Sequence, residues 1–333
     1  MTRGALLAGL LAAFAVGCGH GNGRPHVEAP HTRLAAVIKG LDNPFFVTLR
    51  DGLVVTARRH QVPQRVAAAA SGLQDTAGQA SALESLAADR PACYVVNPIN
   101  QTNLVRALAR IPDGAPIVNV DSPIAKQALE AVGVKVTTYI GTDNVAAAGL
   151  AADAMASLVD RGARVAVIGG IPGDAGSGAR TKGFKQGARG RFRIVETIAA
   201  DYEREKARLA AAAVLRASPD IAGFFAVNDL MALGVADAVR TAGKRNHVEV
   251  IGFDGIPEAL AAVRRGALSA TVAQYPYTIG QLGVEACLAA VRGERVPATV
   301  DAPAQIVTSK NIGRAQANYP RPIERFNDPF AAK

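Results

Sequence analysis

Short apolar runs alternating with stretches of helical periodicity are the feature that most limits what this chain can fold into. From residue 33 onward, strand-like runs at 34–39, 65–70, 92–96, 116–120, 136–140, 165–169, 193–198, 222–227, 248–253 and 269–273 are separated by longer segments. Those segments, at 46–59, 78–88, 101–110, 144–159, 203–216, 228–242, 256–265 and 278–292, carry apolar residues at helical spacing. Strand and helix in strict alternation predict a parallel sheet wrapped by helices. The strands are too many for one open sheet of ordinary size, so the pattern predicts two similar α/β lobes. An eight-stranded barrel is the competing architecture, but it requires a more regular strand–helix count.

The ends of these runs are chemically distinctive. They break off into Asn or Asp beside an aromatic or a proline: Asp42-Asn43-Pro44-Phe45-Phe46, Asn97-Pro98, Asp121-Ser122-Pro123, Asn228-Asp229 after Phe225, and Phe253-Asp254-Gly255. Ligands of open parallel sheets settle outside the carboxyl ends of the strands, so these side chains are placed to converge on one crevice. Asn and Asp exchange hydrogen bonds with hydroxyls, and flat rings cover the C–H faces of a sugar. A small polyhydroxylated ligand fits both.

The 333 residues, 49% of them hydrophobic, provide for about two domains. The amino terminus reads separately. Met1-Thr2-Arg3, an apolar stretch Ala5 to Val16 and then Gly17-Cys18 fit a secretory signal, too short to span a membrane as a mature helix. Ala15-Val16-Gly17-Cys18 resembles a bacterial lipobox, which predicts a signal over 1–17 and an acylated Cys18; an ordinary signal with Cys18 incidental is the plainer alternative. Residues 18–32 then form a tether rich in Gly and Pro, with His20, His26 and His31 read as solvated spacers. Cys93 and Cys287 fall on apolar positions and are expected to be small buried thiols, with a disulfide as the alternative in an exported protein. The net charge of +9 is dispersed over helix faces without a basic, aromatic-interleaved run, which argues against a nucleic-acid partner.

At its strand ends the chain resembles the ribose-binding protein family, the exported solute-binding proteins of pentoses and hexoses that serve ABC transporters. The resemblance rests on Leu41 to Phe46, Val96-Asn97-Pro98, Ile140 to Asn144, Arg180 to Phe184, Phe225 to Gly234, Val250 to Gly255 and Ala270 to Gly280, in the family's order. It implies the type I periplasmic binding protein fold, two doubly wound parallel-sheet lobes joined by three crossovers that close on a ligand by hinge motion. The first lobe is then 33–142 plus 275–303 and the second 143–274 plus 304–313, with crossovers near Thr142, Gln274 and Ala304 and a surface tail from Arg314 to Lys333.

Carried over by position, the ligand contacts implied are Asn43, Phe45, Phe46, Asn97, Asp121 and Thr142 from the first lobe and hinge. Arg180, Tyr202, Asn228, Phe253, Asp254 and Gln274 come from the second. Each has a structural alternative: Asn43 and Asn228 stand where helices begin and are candidate caps, Phe45 and Phe253 are candidate core, and Arg180, which follows a glycine-rich stretch read as a flexible lead-in, is a candidate surface arginine on that loop. The chain departs from the family at two places. Ser122 stands where ribose binders have an arginine, which removes a cation from one side of the pocket, and Tyr202 replaces a phenylalanine. The ligand is therefore expected to be a pentose, hexose or sugar alcohol not restricted to ribose.

Other chemistries fail on spacing. The glycines of 169–178 lack both the Gly-Lys-Ser/Thr ending of a phosphate loop and the dinucleotide spacing, and Ser177 is not in a Gly-x-Ser-x-Gly context because Ala175 occupies the first position. No HExxH or clustered Cys/His set offers a metal site. The expectation is a monomeric binder, not an enzyme, with no cofactor, a sugar ligand, an ABC permease as partner, and membrane contact through the lipid anchor alone. A receptor-coupled sugar sensor and a sugar-processing enzyme on Asp121 and Asp254 are the alternatives.

Overall fold

The structure, a computed structural model, describes residues 33–112 and 114–331; the expected signal segment, Cys18 and the tether lie outside the described residues. Two six-stranded sheets organise the chain. The first holds β1 (Leu34–Ile38), β2 (Gln64–Ala68), β3 (Cys93–Val96), β4 (Ile117–Val120), β5 (Thr138–Gly141) and β11 (Thr299–Asp301), in the order β11-β5-β4-β3-β1-β2. All its pairs are parallel. The second, ordered β12-β10-β9-β8-β6-β7, holds β6 (Arg164–Gly169), β7 (Arg193–Ala199), β8 (Ile221–Ala226), β9 (Glu249–Asp254), β10 (Ala270–Gln274) and β12 (Ala304–Thr308). Its only antiparallel pair is β10 with β12, at the edge. The alternation thus resolves into the two parallel-sheet units it predicts, and not a barrel.

The strands form where they do because both of their faces are covered. Cys-Tyr-Val-Val in β3 and Ile-Val-Asn-Val in β4 are buried along their whole length, the near-continuous apolar run of a parallel sheet sandwiched by helices. Edge strand β7, Arg-Ile-Val-Glu-Thr-Ile-Ala, is mostly exposed and correspondingly polar. The chain leaves the first sheet after Gly141, returns after Gln274 and crosses once more between Asp301 and Ala304.

Helices close the faces. On the first sheet α1 (Pro44–Arg59) packs against α10 (Pro276–Val291), so tightly that a Cβ on Gly52 would meet the Tyr277 carbonyl at 2.1 Å. α2 (Thr76–Ala87) and the short α3 (Val105–Leu108) cover the opposite face, and α4 (Lys126–Glu130) follows β4. On the second sheet α5 (Asn144–Leu158) packs against α6 (Ala175–Ala188), and α7 (Arg204–Ala217) against α8 (Asp229–Thr241), with α9 (Pro257–Arg264) beside α8. Among the described residues no helix is long and apolar enough to cross a membrane.

Four features depart from the sequence reading. The glycine-rich stretch is no flexible lead-in: Asp174 caps α6 through Ser177 N–H at 2.7 Å, and Gly176 and Gly178 lie inside the helix. The expected tail begins with a further helix, α11 (Ile312–Asn318), and then packs on both lobes instead of trailing over the surface. The segment read as one helix over 101–110 is helical only at Val105–Leu108, with turns before it. Finally, Cys93 and Cys287 are not free thiols but a disulfide, 194 residues apart in sequence, joining β3 to α10. Their sequence positions signalled burial correctly; what was not legible is that α10, from the other end of the chain, lies over β3.

Candidate functional site

The carboxyl ends of both sets of strands face one cavity of about 260 Å³. Its first-lobe wall is made by Lys39 after β1, Asn43, Phe45 and Phe46 at the start of α1, and Asp121, Ser122 and Pro123 after β4. Tyr139 and Thr142 flank the first crossover. The second-lobe wall carries Asn144, Asp174 and Arg180 from the starts of α5 and α6, with Tyr202, Asn228 and Asp254.

Each lobe supplies one buried ion pair. In the second, Arg180 lies on α6 with its guanidinium stacked 4.2 Å over the Phe253 ring. It donates to Asn144 Oδ1 at 2.8 Å, the Val227 carbonyl at 2.8 Å and Asp254 Oδ1 at 3.3 Å. Gln274 Nε2 donates to the same carboxylate oxygen at 2.8 Å. Burial pushes the Asp254 carboxyl above the usual carboxylate range, and Arg180 opposes that shift. In the first lobe Lys39 Nζ donates to Ser122 Oγ at 2.6 Å, lies 3.8 Å from Asp121 Oδ2, and sits 5.3 Å above the Phe46 ring. Lys39 thus puts a cation on the side of the pocket where Ser122 seemed to leave none.

Asp121, Tyr202 and Asp254 are three of the six described non-glycine residues with positive φ. Backbone strain of that kind concentrates at ligand sites, where surrounding structure holds it in place. Tyr139 does so for Asp121, donating its hydroxyl to the Asp121 carbonyl at 2.7 Å. Tyr202 donates its hydroxyl to the Asp174 carboxylate, and burial with that neighbour raises the phenol well above its ordinary value. The ring fills the space a Cβ on Gly170 would need, 2.4 Å away, so only glycine lets it seat there.

Two candidates are helix caps and also line the cavity. Asn43 Oδ1 accepts from Phe45 N–H at 2.9 Å and Asn228 Oδ1 from Met231 N–H at 2.9 Å, capping α1 and α8. An amide has a second end, and Asn228 Nδ2 is buried with no hydrogen-bond partner among the described residues, as is Thr142 Oγ1.

Nine of the twelve expected contacts therefore line the cavity: Asn43, Phe45, Phe46, Asp121, Thr142, Arg180, Tyr202, Asn228 and Asp254. Asn97, Phe253 and Gln274 do not; they lie one layer behind. Asn97 is wholly buried because its amide is spent on neighbouring strand ends, accepting from Lys39 N–H at 3.3 Å and donating to Val120 O at 3.2 Å and Asp121 Oδ2 at 2.9 Å. Phe253 is the platform under Arg180, and Gln274 fixes Asp254 from the adjacent strand. Sequence reasoning missed Lys39, Tyr139, Asn144 and Asp174. The signal for Lys39 was a lone lysine closing an otherwise apolar strand; Asn144 and Asp174 stand at helix starts that follow strands. Among the described residues no group of His, Cys, Asp and Glu is arranged to hold a metal ion.

A two-sheet parallel fold with its crevice at the strand ends is the architecture of periplasmic binding proteins. Residues 34–295 match the family described as the periplasmic binding protein domain, and the chain belongs to that family. Over 274 residues it is 34% identical to the ribose import binding protein of Bacillus subtilis, covering 82% of this chain and 86% of that protein. Over 271 residues it is 35% identical to the D-allose-binding periplasmic protein of Escherichia coli K12, covering 79% and 85%. Among solved structures, a periplasmic solute-binding protein of an ABC transporter from Actinobacillus succinogenes, with bound D-allose, superposes with a TM-score of 0.80 at 28% identity. That match covers 84% of this chain and 99% of the other. These relatives carry binding and transport names, in keeping with a binder and not an enzyme.

Proposed function

We propose that the protein is an exported solute-binding lipoprotein that captures a neutral monosaccharide, a pentose, hexose or sugar alcohol, between its lobes and delivers it to an ABC transporter permease. The observation that carries this reading is that the charged groups of the cavity wall already have partners in the protein. Lys39 is set against Asp121, and Arg180 against Asp254, each pair within its own lobe. The wall's two other carboxylates, Asp143 and Asp174, accept from backbone N–H groups at the starts of α5 and α6. Charged groups already engaged within the wall favour an uncharged ligand rich in hydroxyls over an anion or a cation. Such a ligand also satisfies Asn228 Nδ2 and Thr142 Oγ1, buried groups that cost about 1–3 kcal/mol each when left unpaired. Phe45, Phe46 and Tyr202 give its C–H faces an apolar cover. The named ligands of the relatives, ribose and D-allose, belong to this class.

A thermal-shift and calorimetry screen over ribose, allose, arabinose, tagatose and inositol, with amino acids and sugar acids as controls, tests the reading. A cognate sugar at a hundred times its dissociation constant stabilises the protein by about 2.7 kcal/mol. Stabilisation by a control and by none of the sugars overturns the assignment. Asp121→Ala and Asp254→Ala should each lose ten- to hundredfold in affinity, since a hydrogen bond to a charged group contributes roughly 1.5–3 kcal/mol. The anchor is tested separately: Cys18→Ala moves the protein from the membrane fraction to a soluble exported form.

A further inference from the structure

The segment after α11 makes a connection between the lobes that the three crossovers do not. α11 belongs to the second lobe: it packs on α9 and β12, and Arg264 Nη1 donates to Gln316 Oε1 at 2.8 Å. Residues 319–330 then run back to the first lobe. Tyr319 packs against the second lobe's core, while its hydroxyl shares a 2.9 Å hydrogen bond with Thr48 Oγ1 on α1. The Arg321 guanidinium lies 5.2 Å over the ring of Tyr277 in the first turn of α10. Ile323 packs on the second core, and its N–H reaches Gln305 Oε1 at 3.1 Å. That oxygen also accepts from the Tyr275 hydroxyl at 2.5 Å, so the segment is pinned where two crossovers meet the lobes. Phe326 and Phe330 end the run packed against the first lobe's core.

We propose that residues 319–330 are a strap that biases the lobes toward the cavity-enclosing arrangement. Thr48 stands one turn along α1 from Asn43, Phe45 and Phe46, and a helix moves as a rigid piece. Any opening that draws those three side chains away from Arg180 and Asp254 draws Thr48 away from Tyr319, which stays with the second core. Opening must then break the Thr48–Tyr319 bond or peel Phe326 and Phe330 from the first core. One neutral hydrogen bond shifts such an equilibrium roughly two- to tenfold. The strap adds apolar contact to that.

The test reads lobe separation without ligand, so its failure is distinct from failure of the sugar reading. In the full chain carrying Cys18→Ala, spin labels at Lys126→Cys on α4 and Lys185→Cys on α6, both exposed positions, report distances by pulsed electron resonance. The expected result is a dominant population at this structure's separation. Tyr319→Phe should raise the longer-distance fraction two- to tenfold, and a chain ending at Asn318 should be dominated by it. Superimposable distributions for the unaltered and Tyr319→Phe proteins overturn the proposal, as does an unaltered protein that already populates mainly long separations. Tyr319→Phe keeps the test decisive should the shortened chain fail to fold.

Discussion

Removing the Cys93–Cys287 disulfide should destabilise the protein strongly while leaving its ligand site intact. The bond closes a loop of 194 residues, and in the chain-entropy model that confinement of the unfolded state contributes about 5 kcal/mol at 25 °C. If the second lobe stays folded while the first unfolds, its sheet holds the crossovers together and the effective loop shrinks to roughly 60 residues, worth about 4 kcal/mol. Either figure is a large share of the 5–15 kcal/mol typical of a folded domain. Both cysteines are wholly buried, so the double variant Cys93→Ala, Cys287→Ala changes little on the surface, and neither residue lines the cavity. With a urea slope of about 3 kcal/mol per molar, the unfolding midpoint should drop by roughly 1.5 M. The protein with both cysteines, unfolded with and without dithiothreitol, provides the matching comparison, and sugar affinity of the folded variant should be unchanged. A midpoint shift below about 0.3 M would refute the reasoning, because it would mean the first lobe's two chain segments are held together without the cross-link.

Four further outcomes follow from the site and its surroundings. Lys39→Met removes the cation beside Asp121 and Ser122 and should lower sugar affinity ten- to hundredfold by calorimetry, whereas Ser122→Arg, which adds a second cation next to Lys39, should reorder the sugars. Tyr202→Phe deletes only the hydroxyl that donates to Asp174, so apo stability should hold within about 1 kcal/mol while the ranking of sugars changes. Glu285, on α10 against the strap's Asp328, is pushed up to about 7 by burial first and by Asp328 second, with Gln281 and Arg59 opposing. A carboxyl raised on folding contributes stability that is present below about 4.5 and is lost as pH rises through about 7. Melting temperature should therefore fall between pH 5 and 8 more steeply in the unaltered protein than in Glu285→Gln.

The parallel sheets were legible because their strands are buried on both faces, which writes them as unbroken apolar runs that no helix period explains. Helix α6 was not legible, and its packing says why. A Cβ on Gly183 would meet the Val145 carbonyl at 2.1 Å, and one on Gly187 the Ala152 methyl at 2.5 Å, so glycines that lower helix propensity are what let α6 lie against α5. Tertiary contact outweighed the local signal. Arg180 is consequently aimed by a helix fixed at both its cap and its face, which suits a side chain that must hold one position. The strap was hidden for a related reason: Tyr319, Ile323, Phe326 and Phe330 have no period because they pack on two different lobes in turn.

At the site, residue type was readable and layer was not. That strand-end Asn and Asp converge follows from topology alone; whether a given one touches the cavity depends on which strand lies beside it. Asn97 follows β3, between β1 and β4, so its amide is used to hold Lys39 and Asp121 in register. Gln274 follows the same logic toward Asp254. Lys39 shows the converse. Its role depends on Ser122, 83 residues later: where the resemblance implied the loss of a cation, a lysine reaches across the sheet to the serine hydroxyl. A cation delivered from the end of β1, paired with a hydroxyl after β4, approaches the pocket from a different strand than an arginine at position 122 would. On the sugar-binding reading proposed above, that exchange of positions is expected to set the preferred sugar, since the position of the donors decides which hydroxyl configuration they meet.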